Sequence, residues 1–418
     1  MEDDHIEVKP EESVQLHGTL LSSYSVLCKS MIGSGIFAMA GACNHFGLIP
    51  GVLALCIAAG ITWLSLHVLS ILALEYRLEN PSFYSVSENI LPRAKWVLDV
   101  ALIINCFGAA VAYVITSGTL MSFAICAMFN IAKDAAFGQT QIAMIVQAVM
   151  ILALAPLCMM KEISSTKIAN LIGLTCLLYI VIVTFVYAEP AAHTGDSSLM
   201  WPTSFLTAIG SFPTFIFAFA CQQNVFTVAN ELKDASRKRL SIVCASSTLT
   251  GFLVYVPMML IPFLTYGRGV EDNYLKNLDQ VGAVDVPVII AFVLASISVS
   301  ISYVLQVHPV RRSVVSLVFG AKEMAPRKER SVRVGLVTLI MVLSYALAVG
   351  LGSNLSLPIN LAGLLGGNTM CFVMPFLMYN RRYGWRSGLS RLLAVVLAFC
   401  LALYPLCLTG IIYEYTHS

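Results

Sequence analysis

Eleven stretches of the chain run for about 20 residues or more with almost no charged side chain, and no other sequence feature restricts the fold as strongly. A stretch of that length can cross the hydrocarbon core of a bilayer as a helix. In hydrocarbon the backbone has to satisfy its own hydrogen bonds, which favours helices over isolated strands. The sequence therefore predicts an all-α integral membrane protein with eleven transmembrane helices. The stretches are 20–45, 49–74, 97–128, 140–160, 168–188, 204–230, 241–266, 286–310, 334–352, 356–379 and 392–413.

The eighth stretch contains an alternation of serine with apolar residues that imitates a β-strand, Ser296-Ile-Ser-Val-Ser-Ile-Ser302. The surrounding uncharged run, from Val286 to Pro309, is too long for a strand of ordinary length. Length therefore favours a helix here as well.

Composition agrees with burial in lipid and excludes several kinds of function. Hydrophobic residues make up 58% of the 418 positions and charged residues only 11%, and the formal net charge of +2 gives no field that would attract nucleic acid. The twelve cysteines lie mostly in apolar stretches, where a thiol behaves as a small hydrophobic group. We therefore expect no nucleic-acid partner, no metal site, no cofactor and no enzymatic activity, and membrane lipid as the surrounding medium.

Basic residues indicate the orientation. If the N-terminus is cytosolic, eleven spans place 21 of the 25 Lys and Arg residues on the cytosolic side and three on the other side, with Lys29 inside the first span. A miscounted span would invert every later loop. We therefore expect an acidic cytosolic tail over 1–18, a single transmembrane domain over 19–418, and an extracellular or lumenal C-terminus.

The first apolar stretch contains two glycines one residue apart, Gly33 and Gly35, near its middle. Each weakens a helix by about 1 kcal/mol relative to alanine and allows the backbone to leave helical geometry. A half-helix that starts after Gly35 would direct free N–H groups and a positive dipole end at the bilayer centre, where a carboxylate could bind. The alternative is close packing of helices through small residues, which is common in membranes.

The sixth stretch also looks interrupted. Pro213 is followed by the amides Gln222, Gln223 and Asn224, deep within an apolar run. Interruptions in the first and sixth spans, five spans apart, are typical of transporters built from two inverted five-helix repeats. The sequence thus predicts broken helices 1 and 6, a 5+5 repeat, and one extra helix at the C-terminus.

The motifs around these breaks resemble those of the amino acid/auxin permease family. They are Lys29-Ser-Met-Ile-Gly-Ser-Gly-Ile-Phe-Ala-Met39 with Phe46-Gly47, Ala155-Pro-Leu-Cys-Met-Met-Lys-Glu-Ile163, Phe217-Ala-Phe-Ala-Cys-Gln222 with Asn230-Glu-Leu-Lys-Asp234, and His308-Pro-Val-Arg311. The resemblance runs through the whole chain in order. It implies a LeuT-like fold and secondary active transport of amino acids, in a plasma membrane or a vacuolar or lysosomal membrane.

The resemblance also implies a substrate site at the two breaks. Backbone N–H groups around Gly33, Ser34 and Gly35 are expected to bind the substrate carboxylate, and carbonyls at both breaks its ammonium. Asn105 and Tyr113, in the third stretch, either line the side-chain pocket or form hydrogen bonds between helices. The residues expected to bind substrate are Ser30, Met31, Ile32, Gly33, Ser34, Gly35, Phe219, Ala220, Cys221, Gln222 and Asn105.

Lys29 bears on the coupling ion. It lies well inside the first apolar stretch, where a lysine costs about 2.5–3.5 kcal/mol to insert. Sodium-coupled members of the family resembled carry Asn there as an ion ligand, and proton-coupled members often carry Lys. An ammonium held by carbonyls and by the hydroxyl of Ser300 or Ser302 could replace a sodium ion. The alternative is a lysine whose ammonium reaches back to the cytosolic interface.

These features favour a proton-coupled or sodium-independent transporter. A sodium-coupled symporter and a sensor that binds amino acids without moving them remain alternatives. A channel is disfavoured because the polar groups gather at two breaks, and an enzyme because no base or metal cluster is positioned. No acidic residue lies near either break, and Phe215, Phe217 and Phe219 form an apolar aromatic series. The expected substrate is therefore a small or medium neutral amino acid.

Overall fold

The helices cover nearly all of the chain that the computed structural model describes. That part comprises residues 18–76, 82–131, 138–160, 166–189, 196–280, 285–319 and 325–417, without the side chains of 166–172 and 279–280. Apart from Gly18, the expected cytosolic tail over 1–18 lies outside the described residues. Within them, the only β-type pairing is an isolated bridge between Gly18 and Leu232.

Fifteen α-helices follow one another along the described ranges. They are α1 (Leu20–Met31), α2 (Gly35–Phe46), α3 (Leu48–Glu75), α4 (Phe83–Ile90), α5 (Lys95–Phe129), α6 (Gln139–Met159), α7 (Thr166–Val186), α8 (Phe205–Ala218), α9 (Asn224–Glu231), α10 (Arg237–Tyr266), α11 (Val286–Phe319), α12 (Pro326–Leu351), α13 (Ser356–Leu361), α14 (Met374–Tyr383) and α15 (Gly388–His417). A π-helix, Ala362–Val373, joins α13 to α14.

Each of the eleven apolar stretches is helical over most of its described length. By length and apolarity, eight helices among the described residues could cross a membrane, and nine spans result if α1 and α2 are counted as one bent pair. The remaining two stretches fall on α7 and on the pair α8 and α9. The described side chains of α7 begin at Gly173, and α8 has only 14 residues.

The serine alternation in the eighth stretch lies on α11, as its length predicted. Ser296 and Ser300, one helical turn apart, both contact the Ser117 hydroxyl on α5 at 2.9 Å. Ser298 and Ser302 share a different face of the helix, because residues two positions apart are separated by about 200°. The most extensive helix contact in the described bundle is between α5 and α11.

The cysteines act as packing residues in this bundle. All twelve are free thiols, and eleven of them are buried. Among the described residues, no group of three or more His, Cys, Asp or Glu side chains is placed to hold a metal ion.

The beginning of α1 is joined to the end of α9 by backbone hydrogen bonds. The Gly18 N–H donates to the Glu231 carbonyl at 3.1 Å, and the Lys233 N–H donates to the Gly18 carbonyl at 3.0 Å. A Cβ at position 18 would lie 2.6 Å from the Glu231 oxygen, so the bridge requires glycine there. The half-helix before the first interruption, α1, is thus joined to the half-helix after the second, α9. The bridge lies at the end of each helix that is farther from its interruption.

Candidate functional site

The first interruption separates α1 from α2 and bends the chain by 51°. The helix stops at Met31 because the Gly33 N–H turns back to the Met31 carbonyl at 2.9 Å. Of the three backbone N–H groups expected to bind a carboxylate, that of Gly33 is therefore already engaged. The Gly35 N–H has no acceptor among the described residues.

Gly35 has a packing role that the sequence left open. A Cβ there would lie 2.9 Å from both Cα and Cβ of Ala218, the last residue of α8. The missing side chain therefore lets the first turn of α2 contact the end of α8 directly. Gly33 faces another helix, since a Cβ on it would lie 3.3 Å from the Tyr113 hydroxyl on α5.

The second interruption spans Phe219 to Gln223, between α8 and α9. The Ala220 N–H donates to the Phe217 carbonyl at 3.2 Å, and the Asn224 N–H to the Cys221 carbonyl at 3.0 Å. The Gln222 side-chain oxygen accepts from the Cys221 N–H at 2.8 Å. This break is thus closed by turns and by an amide side chain, without a glycine.

Tyr255, on α10, connects the two interruptions. Its hydroxyl lies 2.6 Å from the Met31 carbonyl oxygen and 2.8 Å from the Ala218 carbonyl oxygen. Both carbonyls belong to the last residue of a helix, where no intrahelical donor is available. The C-terminal ends of α1 and α8 therefore meet at one phenol.

Each break also holds a buried side-chain group without a good hydrogen bond. Ser34 Oγ, on a residue 1% exposed, has no hydrogen-bond partner of good geometry, although Tyr113 interacts with Ser34. Gln222 Nε2, on a residue 0% exposed, has none either. Buried polar groups in folded proteins are normally paired, so these two are candidates for contact with a ligand.

A further contact joins α1 to α9. The Asn224 side-chain amide donates to the Ser30 hydroxyl at 2.6 Å, and that hydroxyl donates to the Val26 carbonyl at 2.8 Å. Ser30, expected to bind substrate, is therefore engaged in holding the two half-helices together.

The Lys29 ammonium is directed at α7 and α11. A Cβ on Gly173 of α7 would lie 2.7 Å from Lys29 Nζ, so the absence of a side chain there makes room for it. The Ser298 hydroxyl of α11 lies beside the same position and donates to the Gly173 carbonyl at 3.5 Å. This direction disagrees with a lysine that reaches back along its own helix to the interface.

The hydroxyls expected beside Lys29 lie elsewhere. Ser300 contacts Ser117 on α5 and donates to the Ser296 carbonyl at 2.7 Å. Ser302 donates to the Ser298 carbonyl at 3.0 Å. The α11 hydroxyl that lies beside Gly173 together with the Lys29 ammonium is that of Ser298, one turn from Ser302 on the same face.

Asn105 and two of the phenylalanines face away from the junction of the breaks. Asn105 packs on the π-helix, where a Cβ on Gly366 would lie 2.5 Å from its backbone nitrogen. Phe215 meets Phe46 edge to face at a centroid distance of 5.5 Å. Phe217 packs against the π-helix at Gly363. Of the aromatic series, Phe219 lies at the break, edge to face with Tyr255 at 5.2 Å.

The main residue that sequence reasoning missed is Tyr255. It lies in an apolar stretch with no glycine pair or amide cluster at its position, so its role appears only when α10 is packed against both breaks. Together the breaks offer carbonyl acceptors from Met31 and Ala218 and donors from Gly35, Ser34 and Gln222. A small zwitterion presents the complementary groups, an ammonium and a carboxylate.

Comparison with known proteins also indicates amino acids as the class of ligand. Residues 17–415 match the family model described as transmembrane amino acid transporter protein. The chain is 27% identical over 365 residues to vacuolar amino acid transporter 5 of Schizosaccharomyces pombe, covering 86% of this chain and 83% of that protein. It is also 27% identical over 169 residues to human sodium-coupled neutral amino acid transporter 4, covering 40% of this chain and 30% of that one.

Among solved structures, the fold resembles that of MhsT, crystallised with L-phenylalanine. The TM-score is 0.59 at 13% sequence identity, with 91% of this chain and 98% of that chain covered. This likeness supports a LeuT-like fold. The family consists of membrane transporters, not enzymes, as the sequence predicted. With the match running from residue 17 to residue 415, the chain belongs to the transmembrane amino acid transporter family.

Proposed function

We propose that the protein is a secondary active transporter that moves amino acids across a membrane by alternating access. The junction of the two helix breaks is the observation that carries the proposal. Two helix C-terminal carbonyls, of Met31 and Ala218, contact one hydroxyl. Two buried donor groups without a hydrogen bond of good geometry, Ser34 Oγ and Gln222 Nε2, belong to the same breaks. The names of the relatives, vacuolar and sodium-coupled amino acid transporters, support the same substrate class.

In this site the substrate ammonium lies at the carbonyls of Met31 and Ala218, and the carboxylate lies at the start of α2. The Gly35 N–H, the Ser34 hydroxyl and the Gln222 amide are the donors for the carboxylate. Partial positive charge at the start of α2 and partial negative charge at the ends of α1 and α8 favour this orientation of a zwitterion. Ser30 supports the site through Asn224.

The proposed architecture has eleven spans in a 5+5 inverted repeat with one additional C-terminal helix. The N-terminus is cytosolic and the C-terminus extracellular or lumenal. Support comes from the bias of basic residues and from the positions of the interruptions, at the first and sixth apolar stretches. Similarity to vacuolar transporters over most of the chain favours a vacuolar or lysosomal membrane over the plasma membrane.

We assign sodium-independent transport to the chain on account of Lys29. Its ammonium lies at Gly173 and Ser298, between α7 and α11. A sodium ion about 4 Å away would be repelled by about 4 kcal/mol at an effective dielectric of 20. A permanently charged Lys29 makes the protein an exchanger or facilitator. If its ammonium loses and regains a proton during the cycle, transport is coupled to protons.

The proposed substrates are small or medium neutral amino acids. No Asp or Glu occurs in α1, α2, α8, α10 or α11, so a cationic side chain would find no buried carboxylate on these helices. Phe219 supplies an apolar surface at the break, whereas Phe215 and Phe217 do not contribute to it. The alternative function is an amino acid sensor with the same site, which would bind substrate without transport.

Uptake by proteoliposomes separates these possibilities. The purified protein is reconstituted, and labelled neutral, acidic and basic amino acids are supplied under a sodium gradient, a pH gradient or neither. We expect uptake of neutral amino acids that is unchanged when choline replaces sodium. Uptake that saturates with sodium concentration contradicts the coupling proposal, preference for arginine or lysine contradicts the substrate class, and binding without accumulation indicates a sensor.

Lys29→Ala provides the matching residue test. We expect it to reduce uptake at least tenfold, because α1 loses its polar contact with α7 and α11, a change of about 1.4 kcal/mol or more. Lys276→Ala is the control, since Lys276 donates to the Ser353 carbonyl at 3.1 Å at the periphery of the bundle. Equal uptake by the two variants would remove Lys29 from the mechanism. Proton movement with substrate in the unmodified protein distinguishes coupling from exchange.

A further inference from the structure

The ends of α1 and α8 present an unusual electrostatic arrangement at Tyr255. A helix C-terminus carries a partial negative charge of about half a unit, and here two of them converge. The Met31 and Ala218 carbonyl oxygens lie 2.6 and 2.8 Å from the same hydroxyl oxygen. A hydroxyl has a single proton, so it can satisfy only one of these carbonyls fully at any moment.

The spacing of the two carbonyls suits a donor with several protons. Because both lie on one hydroxyl, the oxygens are separated by no more than 5.4 Å, the sum of the two distances. An ammonium that forms two N–H···O bonds of about 2.9 Å can bridge carbonyls at such a separation. Each carbonyl oxygen has two lone pairs. Contact with Tyr255 leaves a second one on the Ala218 carbonyl, whereas the Met31 carbonyl also accepts from the Gly33 N–H at 2.9 Å.

The Tyr255 ring is held in place by its packing. The residue is 0% exposed, and its ring meets Phe219 edge to face at 5.2 Å. One turn earlier on α10, a Cβ on Gly251 would lie 3.4 Å from both the Met31 sulfur and the Phe219 ring. The ring cannot leave its position without opening the contact between α10 and both breaks, so the hydroxyl is a fixed part of the site.

We propose that Tyr255 is a positioning residue of the substrate site, whose hydroxyl holds the Met31 and Ala218 carbonyls at the separation that the substrate ammonium requires. This inference rests on the proposed amino acid substrate and assigns the residue that makes two separate breaks into one binding site. The hydroxyl stays in place while substrate binds. The substrate ammonium uses the remaining lone pair of the Ala218 carbonyl and replaces the Gly33 N–H at the Met31 carbonyl.

The test is the concentration dependence of uptake by Tyr255→Phe, which removes the hydroxyl and keeps the ring on Phe219. We expect KM to rise about five- to tenfold, the effect of about 1–1.4 kcal/mol of lost positioning, while the maximal rate stays within about twofold. Tyr303→Phe is the matched control. Tyr303 is also 0% exposed, and its hydroxyl joins α11 to Ser344 on α12 at 2.9 Å, so the control loses an interhelical hydrogen bond away from the breaks.

Rescue completes the test. p-Aminophenylalanine at position 255 supplies two N–H donors in place of one hydroxyl and is expected to keep KM within about twofold of the unmodified protein. This variant also serves if Tyr255→Phe fails to fold, and a tenfold rise in its KM would then contradict the proposal. An unchanged KM in folded Tyr255→Phe contradicts it as well. A lower KM would mean that the hydroxyl competes with the ammonium, which also overturns it. Absence of uptake by the unmodified protein would instead refute the proposed function.

Discussion

The two helix interruptions meet at the same place but are built differently. The first, between α1 and α2, depends on the absence of a side chain, because Gly35 touches Ala218 directly. The second, between α8 and α9, contains no glycine and is closed by turns and by the Gln222 amide on the Cys221 N–H. One break is therefore defined by close packing and the other by hydrogen bonding. We expect the first to be sensitive to side-chain size and the second to side-chain polarity.

The largest effect is expected from Gly35→Val. Its Cβ would lie 2.9 Å from Ala218, so α2 and α8 must separate, and overpacking of this kind costs about 1–3 kcal/mol or more. We expect uptake to be abolished and the yield of folded protein to fall. Gly60→Val on α3, where a Cβ meets nothing within 4 Å, is the control. Normal uptake by Gly35→Val would show that the first break tolerates a side chain, and would contradict the proposed difference between the two breaks.

A smaller effect is expected from Gln222→Met, which keeps the side-chain length and removes the amide. The Cys221 N–H loses its acceptor and the substrate loses a donor, so KM should rise about tenfold, equivalent to about 1.4 kcal/mol. Gln147→Met on α6 is the control, because Gln147 is also a buried glutamine and lies away from both breaks. If Gln222→Met transports as well as Gln147→Met, neither the substrate nor the second break depends on the Gln222 amide, which contradicts the expected sensitivity to polarity.

The smallest effect is expected where the two breaks are cross-connected, at the hydrogen bond from Asn224 to Ser30. Asn224→Ala should lower stability by about 1 kcal/mol. Ser30→Ala should do the same, and the double variant should lose little more than either single one, because one hydrogen bond is shared. Thermal unfolding of the three variants in detergent measures this. Additive losses would indicate that the two residues act independently.

Much of the architecture could be predicted from the sequence because lipid restricts the solutions. The apolar stretches place most helices to within a few residues, and length alone identified α11 despite its alternating serines. The exceptions are the end of α11, nine residues beyond its stretch, and the start of α12, eight residues before its own. The first break was predicted from Gly33 and Gly35, because glycine weakens a helix. The second was predicted from polar amides deep within an apolar run; Pro213 itself lies inside α8, and the break begins six residues later. Local chemistry was sufficient for both.

The partners across the bundle could not be predicted in the same way. Which serine lies beside Lys29 depends on the rotation and on the axial position of α11, and a shift of one turn along its axis exchanges Ser302 for Ser298. Asn105 packs against the π-helix. Because that helix departs from α-helical geometry, the residues that it turns toward α5 do not follow the α-helical period. Tyr255 carries no local signal, since a tyrosine in an apolar helix has many uses. These contacts depend on tertiary packing, which no single stretch of sequence records.

The backbone bridge between Gly18 and Leu232 has a mechanical consequence for α1. With 12 residues, α1 is a rod about 18 Å long, and it is pinned at both ends. One pin is the bridge to the residue that follows α9, and the other is the Tyr255 phenol, shared with α8. Between them, the Asn224 amide on the Ser30 hydroxyl is a third attachment, so rotation of α1 about its own axis would break that hydrogen bond. A larger displacement of α1 must either break one of these contacts or move α8 and α9 together with α1.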